Sequence, residues 1–194
     1  MATCQDVSAS MAYFYFDMRD IDKKTPHNLL SSLLTQLAFR SDPFSDILFR
    51  LYKAHNDGMR QPSDSALIHC LKDMLTLPDH GPVYLIMDAL DECPNDDGLP
   101  SAQDEVLNLI KDLVTLQLPS LRLCVTSRPE WVIKTVLGPL ASHTFSLEDA
   151  DGQKQDIADY IRSIVYSGTG FMKRWREEDK EFVVETLSER SDGM

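Results

Sequence analysis

The chain has 194 residues, 43% of them apolar or aromatic, and a formal net charge of −12. That length suits one sizeable domain with at most a small appendage, and that apolar fraction excludes a disordered chain. The acidic balance excludes unassisted binding to a nucleic-acid backbone, although local donors and a metal ion can still hold a nucleotide.

Residues 11–18, "MAYFYFDM", have the aromatic, β-favouring composition of a strand. Thr25 and Pro26 then suit the cap and first turn of a helix, and Leu29, Leu30, Leu33, Leu34 and Leu37 form its apolar stripe. Asp42-Pro43 breaks that helix, and a second is predicted over residues 44–53. Ser63 or Asp64 caps a third, with Leu67, Ile68, Leu71 and Leu75 on one face. Residues 83–87 are an unbroken apolar run, the pattern of a strand buried on both faces of a parallel sheet. After the loop "CPNDDGLPS", Val106, Leu109, Ile110, Leu113, Val114 and Leu116 mark another helix. Residues 121–126 read as a strand, 130–137 as a helix and 143–147, "HTFSL", as a short strand. Alternation of this kind predicts an α/β fold with a parallel sheet flanked by helices. The pattern then turns all-helical. Residues 151–165 carry Ile157, Tyr160, Ile161, Ile164 and Val165 on one face, and residues 177–189 carry Phe182, Val183 and Leu187. The expected division is 1–148 for the α/β core and 149–194 for the start of a helical lid.

No stretch approaches the roughly 20 apolar residues needed to span a bilayer, and no basic start precedes an apolar core at the N-terminus. Neither membrane nor nucleic acid is an expected partner, and the cytoplasm is the expected compartment. Cys4, Cys70, Cys93 and Cys124 include no C-x-x-C pair and have no histidine at ligand spacing. The histidines are scattered and show no H-E-x-x-H.

In open α/β sheets, ligands bind beyond the carboxyl ends of the strands. Asp88 ends the most apolar strand, and Asp91 and Glu92 follow at once. An apolar strand that delivers Asp and then a second acid is a Walker B arrangement. Asp88 would hold Mg²⁺ beside the β- and γ-phosphates, and Asp91 or Glu92 would orient or deprotonate the attacking water. The plain alternative is a strand end followed by a solvated acidic loop. Arg128 ends the next strand, one loop and one helix later, so it is expected at the same crevice. There an arginine contacts a γ-phosphate, or else pairs with the local acids.

"YLIMDALDEC", "LRLCVTSRPEW" and "DIADYI" resemble the Walker B, sensor 1 and early lid segments of fungal NACHT domains, the signal-transduction NTPases grouped with nephrocystin 3-like N-terminal domains. "AYFYFDM" and the leucine helix resemble the family's second strand and following helix, so the likeness runs from about residue 11 to the end. It implies a P-loop NTPase-like sheet. Asp88 corresponds to the magnesium-associated acid, Asp91 and Glu92 to the downstream acidic pair and Arg128 to the sensor arginine. ATP or GTP with Mg²⁺ would be the cofactors, nucleotide state would be coupled to self-association or to other protein domains, and ankyrin or WD repeats would follow. Ala89 stands where many such domains carry glycine, a small-for-small exchange.

The chain contains no G-x-x-x-x-G-K-[S/T] phosphate loop. "SGTGFMK", residues 167–173, has glycines at the wrong spacing, follows a helix and reads as a connector. In the family the phosphate loop lies upstream of "AYFYFD", so the resemblance implies a domain truncated before its second strand. The absent strand would lie beside the sensor strand, leaving unpaired groups, and the chain is expected to be marginally stable alone or to close its sheet around the gap. Weak or absent hydrolysis is expected. The competing readings are a non-catalytic interaction module that keeps the fold and an unrelated metal-dependent hydrolase built on Asp88, Asp91 and Glu92.

Overall fold

The structure is a computed structural model that describes residues 9–95, 100–146, 153–167 and 170–190. It separates into two compact units, Met1–Ala141 and Ser142–Met194.

In the first unit β1 (Ser10–Tyr15), β2 (Val83–Asp88) and β3 (Leu121–Val125) form a parallel sheet in that order. The register sets Ala12 beside Leu85 and Leu85 beside Leu123, and Tyr15 beside Asp88. Parallel strands need crossovers, and these run through helices. Between β1 and β2 lie α1 (Pro26–Ala38), α2 (Asp42–Ala54) and α3 (Asp64–Leu75); between β2 and β3 lies α4 (Ala102–Thr115); α5 (Trp131–Leu137) follows β3.

The helix starts follow local chemistry. Thr25 Oγ1 accepts the Asn28 N–H at 3.2 Å, with Pro26 in the first turn. Ser63 Oγ accepts the Ala66 N–H at 3.3 Å. Ser101 and Asp104 form a reciprocal capping box on α4. Each cap satisfies donors that a helix cannot pair internally.

All five stripe leucines of α1 are buried. They join Ala12, Phe14, Leu85, Met87, Leu71, Met74, Leu107 and Ile110 in one core. Only one sheet row of each strand enters it. Met11, Tyr13, Tyr15 and Tyr84 on the opposite face are 41–51% exposed. The expectation that residues 83–87 are buried on both faces is therefore corrected. An unbroken apolar run signals hydrophobicity, but burial depends on what packs above each row, and the described helices of this unit cover one row.

The strand expected at 143–147 is also corrected: residues 143–146 form no strand, and Leu147 lies outside the described residues. Five residues hold a ladder only beside a neighbour, and among the described residues the sheet ends at β3.

The second unit contains α6 (Gln153–Val165), a short 3-10 turn at Gly170–Arg174 and α7 (Glu177–Arg190). Val165 and Val184 are its buried apolar side chains among the described residues. Tyr160 and Phe182 are more than two-thirds exposed, and Leu187 is also exposed. The predicted inner face of α7 is thus shifted: Val184 is the residue packed inward. The two helices are tied by Tyr166, whose hydroxyl donates to Glu181 at 3.0 Å, and by Lys180 over the Tyr166 ring. The Glu181 carboxylate, accepting that proton's hydrogen bond, raises the Tyr166 phenol above its ordinary range.

Candidate functional site

The acids singled out in the sequence lie at the carboxyl end of the sheet. Asp88 is the last residue of β2. Ala89 follows in the left-handed conformation, φ 55° and ψ 48°, and turns the chain into a 3-10 turn at Leu90–Glu92. Leu90 and Cys93 are buried on either side of Asp91 and Glu92, so apolar anchors fix the turn that aims the two acids. A non-glycine residue at that φ is strained. The exchange of glycine for Ala89 is therefore not neutral: the backbone here asks for glycine, a demand invisible until the turn is seen.

Thr126, the residue after β3, knits this turn to the sheet. Its N–H donates to the Met87 carbonyl at 3.0 Å, its carbonyl accepts the Leu90 N–H at 3.0 Å, and its hydroxyl oxygen accepts the Ala89 N–H at 3.0 Å. The same hydroxyl donates its proton to Asp88 Oδ1. Sequence reasoning passed over Thr126 as a strand residue. Its signal was modest: a hydroxyl one position beyond the apolar run, level with Asp88 on the neighbouring strand.

Asp91 and Arg128 meet. Asp91 Oδ1 accepts the Arg128 N–H at 2.9 Å, and Oδ2 lies 3.5 Å from Arg128 Nε. The Asp91 side chain is 9% exposed and that of Arg128 81%. Glu92 points elsewhere: its Oε2 accepts the Met18 N–H at 3.2 Å, just past β1. No described contact joins Asp88 or Glu92 to Arg128. Each acid is thus tied to a different segment, Asp88 to Thr126, Asp91 to Arg128 and Glu92 to Met18. The carboxyl end of the sheet is a set of polar staples joining all three strand exits.

Nearby, Asp17 accepts three hydrogen bonds from Arg19, one from the backbone and two from the guanidinium. The guanidinium bond holds the Asp17 carboxyl below its usual range, and Asp17 in turn raises Arg19, with Glu92 adding to the effect. Burial pushes the Cys93 thiol up to about 12 and that of Cys70 up to about 11. Both stay protonated and are poor nucleophiles.

Among the described residues no three His, Cys, Asp or Glu side chains converge to hold a metal ion. Mg²⁺ prefers six oxygens and is usually held by one or two carboxylates together with substrate phosphates. Asp88 suits the place of that single acid but makes no metal centre unaided. No helix of the described residues is long and apolar enough to cross a membrane.

The profile of the family described as Nephrocystin 3, N-terminal matches residues 1–128. The chain belongs to that family. No curated protein and no solved structure matches it. The nephrocystin 3 N-terminal match reaches as far as Arg128, so it takes in the sheet, the acidic turn and Thr126. The α/β architecture agrees with this NACHT-like assignment.

Proposed function

We propose that this chain supplies the Walker B and sensor part of a NACHT-type signal-transduction switch acting in the cytoplasm. In this reading Asp88 stands beside the Mg²⁺ of a bound ATP or GTP. Asp91 and Glu92 form the acidic pair, and Arg128 senses the γ-phosphate. Hydrolysis by the chain itself is weak or absent, because the sequence offers no phosphate loop with its lysine. The observation that carries the reading is the Asp91–Arg128 contact at the mouth where Asp88 also ends its strand. Support for the reading is that a carboxylate from the turn after β2 and a guanidinium from the segment after β3 lie side by side at the carboxyl end of the sheet, where ligands of open α/β folds bind.

The test is calorimetric titration of the whole chain with ATP and with GTP in the presence of Mg²⁺. The expected result is weak, Mg²⁺-dependent binding that Asp88→Ala abolishes. No heat of binding with either nucleotide at millimolar concentration overturns the switch as a property of this chain.

A second reading has its own support. Asp88, Asp91 and Glu92 each hold an internal donor. That suits an interaction module that has kept the fold while its acids serve as staples. Under it, Asp88→Ala lowers stability and changes no nucleotide response. The metal-dependent hydrolase reading lacks a matching ligand set among the described residues.

A further inference from the structure

Two side chains of the first unit each grip backbone through two atoms, and their chemistry differs. The Gln36 amide of α1 lies along the edge of β1. Its Oε1 accepts the Tyr13 N–H at 3.1 Å and its Nε2 donates to the Tyr13 carbonyl at 2.7 Å. An amide has one accepting and one donating end, so both bonds hold whatever the pH. His80, in the turn between α3 and β2, faces a different pair. Its Nδ1 lies 2.7 Å from the Gly81 carbonyl and its Nε2 2.9 Å from the Leu75 carbonyl. Both partners are acceptors.

A neutral imidazole carries one N–H and one lone pair, so it bonds one of these carbonyls and turns a lone pair toward the other. The ring meets both only with a proton on each nitrogen. A positive charge suits the place, because Leu75 ends α3, where unpaired carbonyls form the negative pole of the helix. The Phe44 ring of α2 packs against the half-buried imidazole, with centroids 5.5 Å apart, and keeps it between the two carbonyls. The ionisable groups around it are Asp79 in the same turn, Lys72 and Asp73 in the last turn of α3, Asp42 and Asp46 flanking Phe44 on α2, and Arg122 at the foot of β3. Lys72 is engaged by Asp112 at 2.9 Å, and Arg122 by the Pro119 and Leu121 carbonyls. Among the described residues the histidine held in an ion pair is His27, with Asp64.

We propose that His80 is a proton-operated clasp, in which a second ring proton adds the bond that ties the end of α3 to the entrance of β2. In the unfolded chain water serves either form of the ring, whereas in the fold the neutral form sets a lone pair against a carbonyl. Folding therefore gains when the proton is added, and the contribution grows as pH falls through the range in which histidine changes charge. The effect reaches β1 as well. Pro82, next to Gly81, accepts the Ser10 N–H at 2.9 Å where that strand begins. Acidification thus tightens the end of the sheet opposite Asp88.

The test compares the chain with His80→Gln by urea unfolding at about pH 8 and about pH 5.5, which bracket the histidine range. The difference between the two proteins cancels what they share, the His27–Asp64 pair included. The advantage of the unsubstituted chain, as a folded-to-unfolded ratio, is expected to grow roughly fivefold to tenfold on acidification, the worth of one added hydrogen bond. His55→Gln is the control. His55 Nδ1 meets a single carbonyl, that of Leu51 at 2.8 Å, which a neutral ring satisfies, and its advantage is expected to grow less. Nitrogen-15 spectra of the unsubstituted chain at about pH 5.5 are expected to show slowly exchanging protons on both His80 ring nitrogens, a readout that stands even where the variant fails to fold. An advantage that stays level with pH overturns the proposal. So does a rise just as large for His55→Gln, which would mean a charge at a helix end and not a second bond, or a single slowly exchanging proton on the His80 ring. No nucleotide is present, so these outcomes leave the switch reading to its own test.

Discussion

Leu85 in the first unit and Val184 in the second are 0% and 3% exposed, but they are buried in different company. Leu85 lies mid-sheet in a core that draws side chains from all three strands and from α1 to α5. Val184 shares its unit's interior with Val165, while Tyr160, Phe182 and Leu187 on the same two helices stay exposed. Burial of a single residue says little about cohesion; the number of neighbours that collapse when it is removed says more.

The comparison can be broken most directly by truncation. Leu85→Ala is expected to lower the main unfolding transition by about 2–5 kcal/mol, measured by urea denaturation. Val184→Ala is expected to leave that transition within about 0.5 kcal/mol and to appear as faster amide exchange in α7. Equal shifts would mean the two units unfold as one.

A smaller effect separates the polar contacts. Asp91 is 9% exposed at its side chain and Glu181 is 61% exposed. Asp91→Ala strips the Arg128 N–H of a charged acceptor at a nearly closed site and is expected to cost about 1–2 kcal/mol. Glu181→Ala removes an exposed pair with Arg162 at 3.5 Å together with the exposed hydrogen bond from the Tyr166 hydroxyl at 3.0 Å, with an expected cost of about 0–1 kcal/mol. The two losses coming out equal would erase the distinction between staple and surface pair.

The smallest change should be a gain. Ala89→Gly relieves a left-handed alanine but loosens the unfolded chain, and the net stabilisation is expected to be about 0.5–1 kcal/mol by thermal melt. A loss instead would show that the Ala89 methyl packs more favourably than its backbone is strained.

The first unit was legible because its signals are periodic and redundant. Five leucines at helical spacing and the capping residues Thr25 and Ser63 name the same elements, and the position of Asp88 follows from ending an apolar run. What escaped was relational. Nothing in "YLIMD" says that Tyr84 faces outward, because that depends on which rows the helices cover. Nothing in "HTFSL" shows whether a neighbour strand stands beside it. Phe182 and Leu187 outrank Val184 in size, but the direction in which α7 faces its partner decides which is enclosed. At the site, strand order set Arg128 at the same sheet end as Asp88, whereas the Asp91–Arg128, Glu92–Met18 and Asp88–Thr126 links join separate segments whose meeting only the fold creates.

The Gln36 amide carries one further implication. A strand edge offers a row of donors and acceptors to any extended segment, and an amide seated at the middle of that row on Tyr13 interrupts the ladder a newcomer would need. A lone side chain on α1 thus stands guard over the centre of β1.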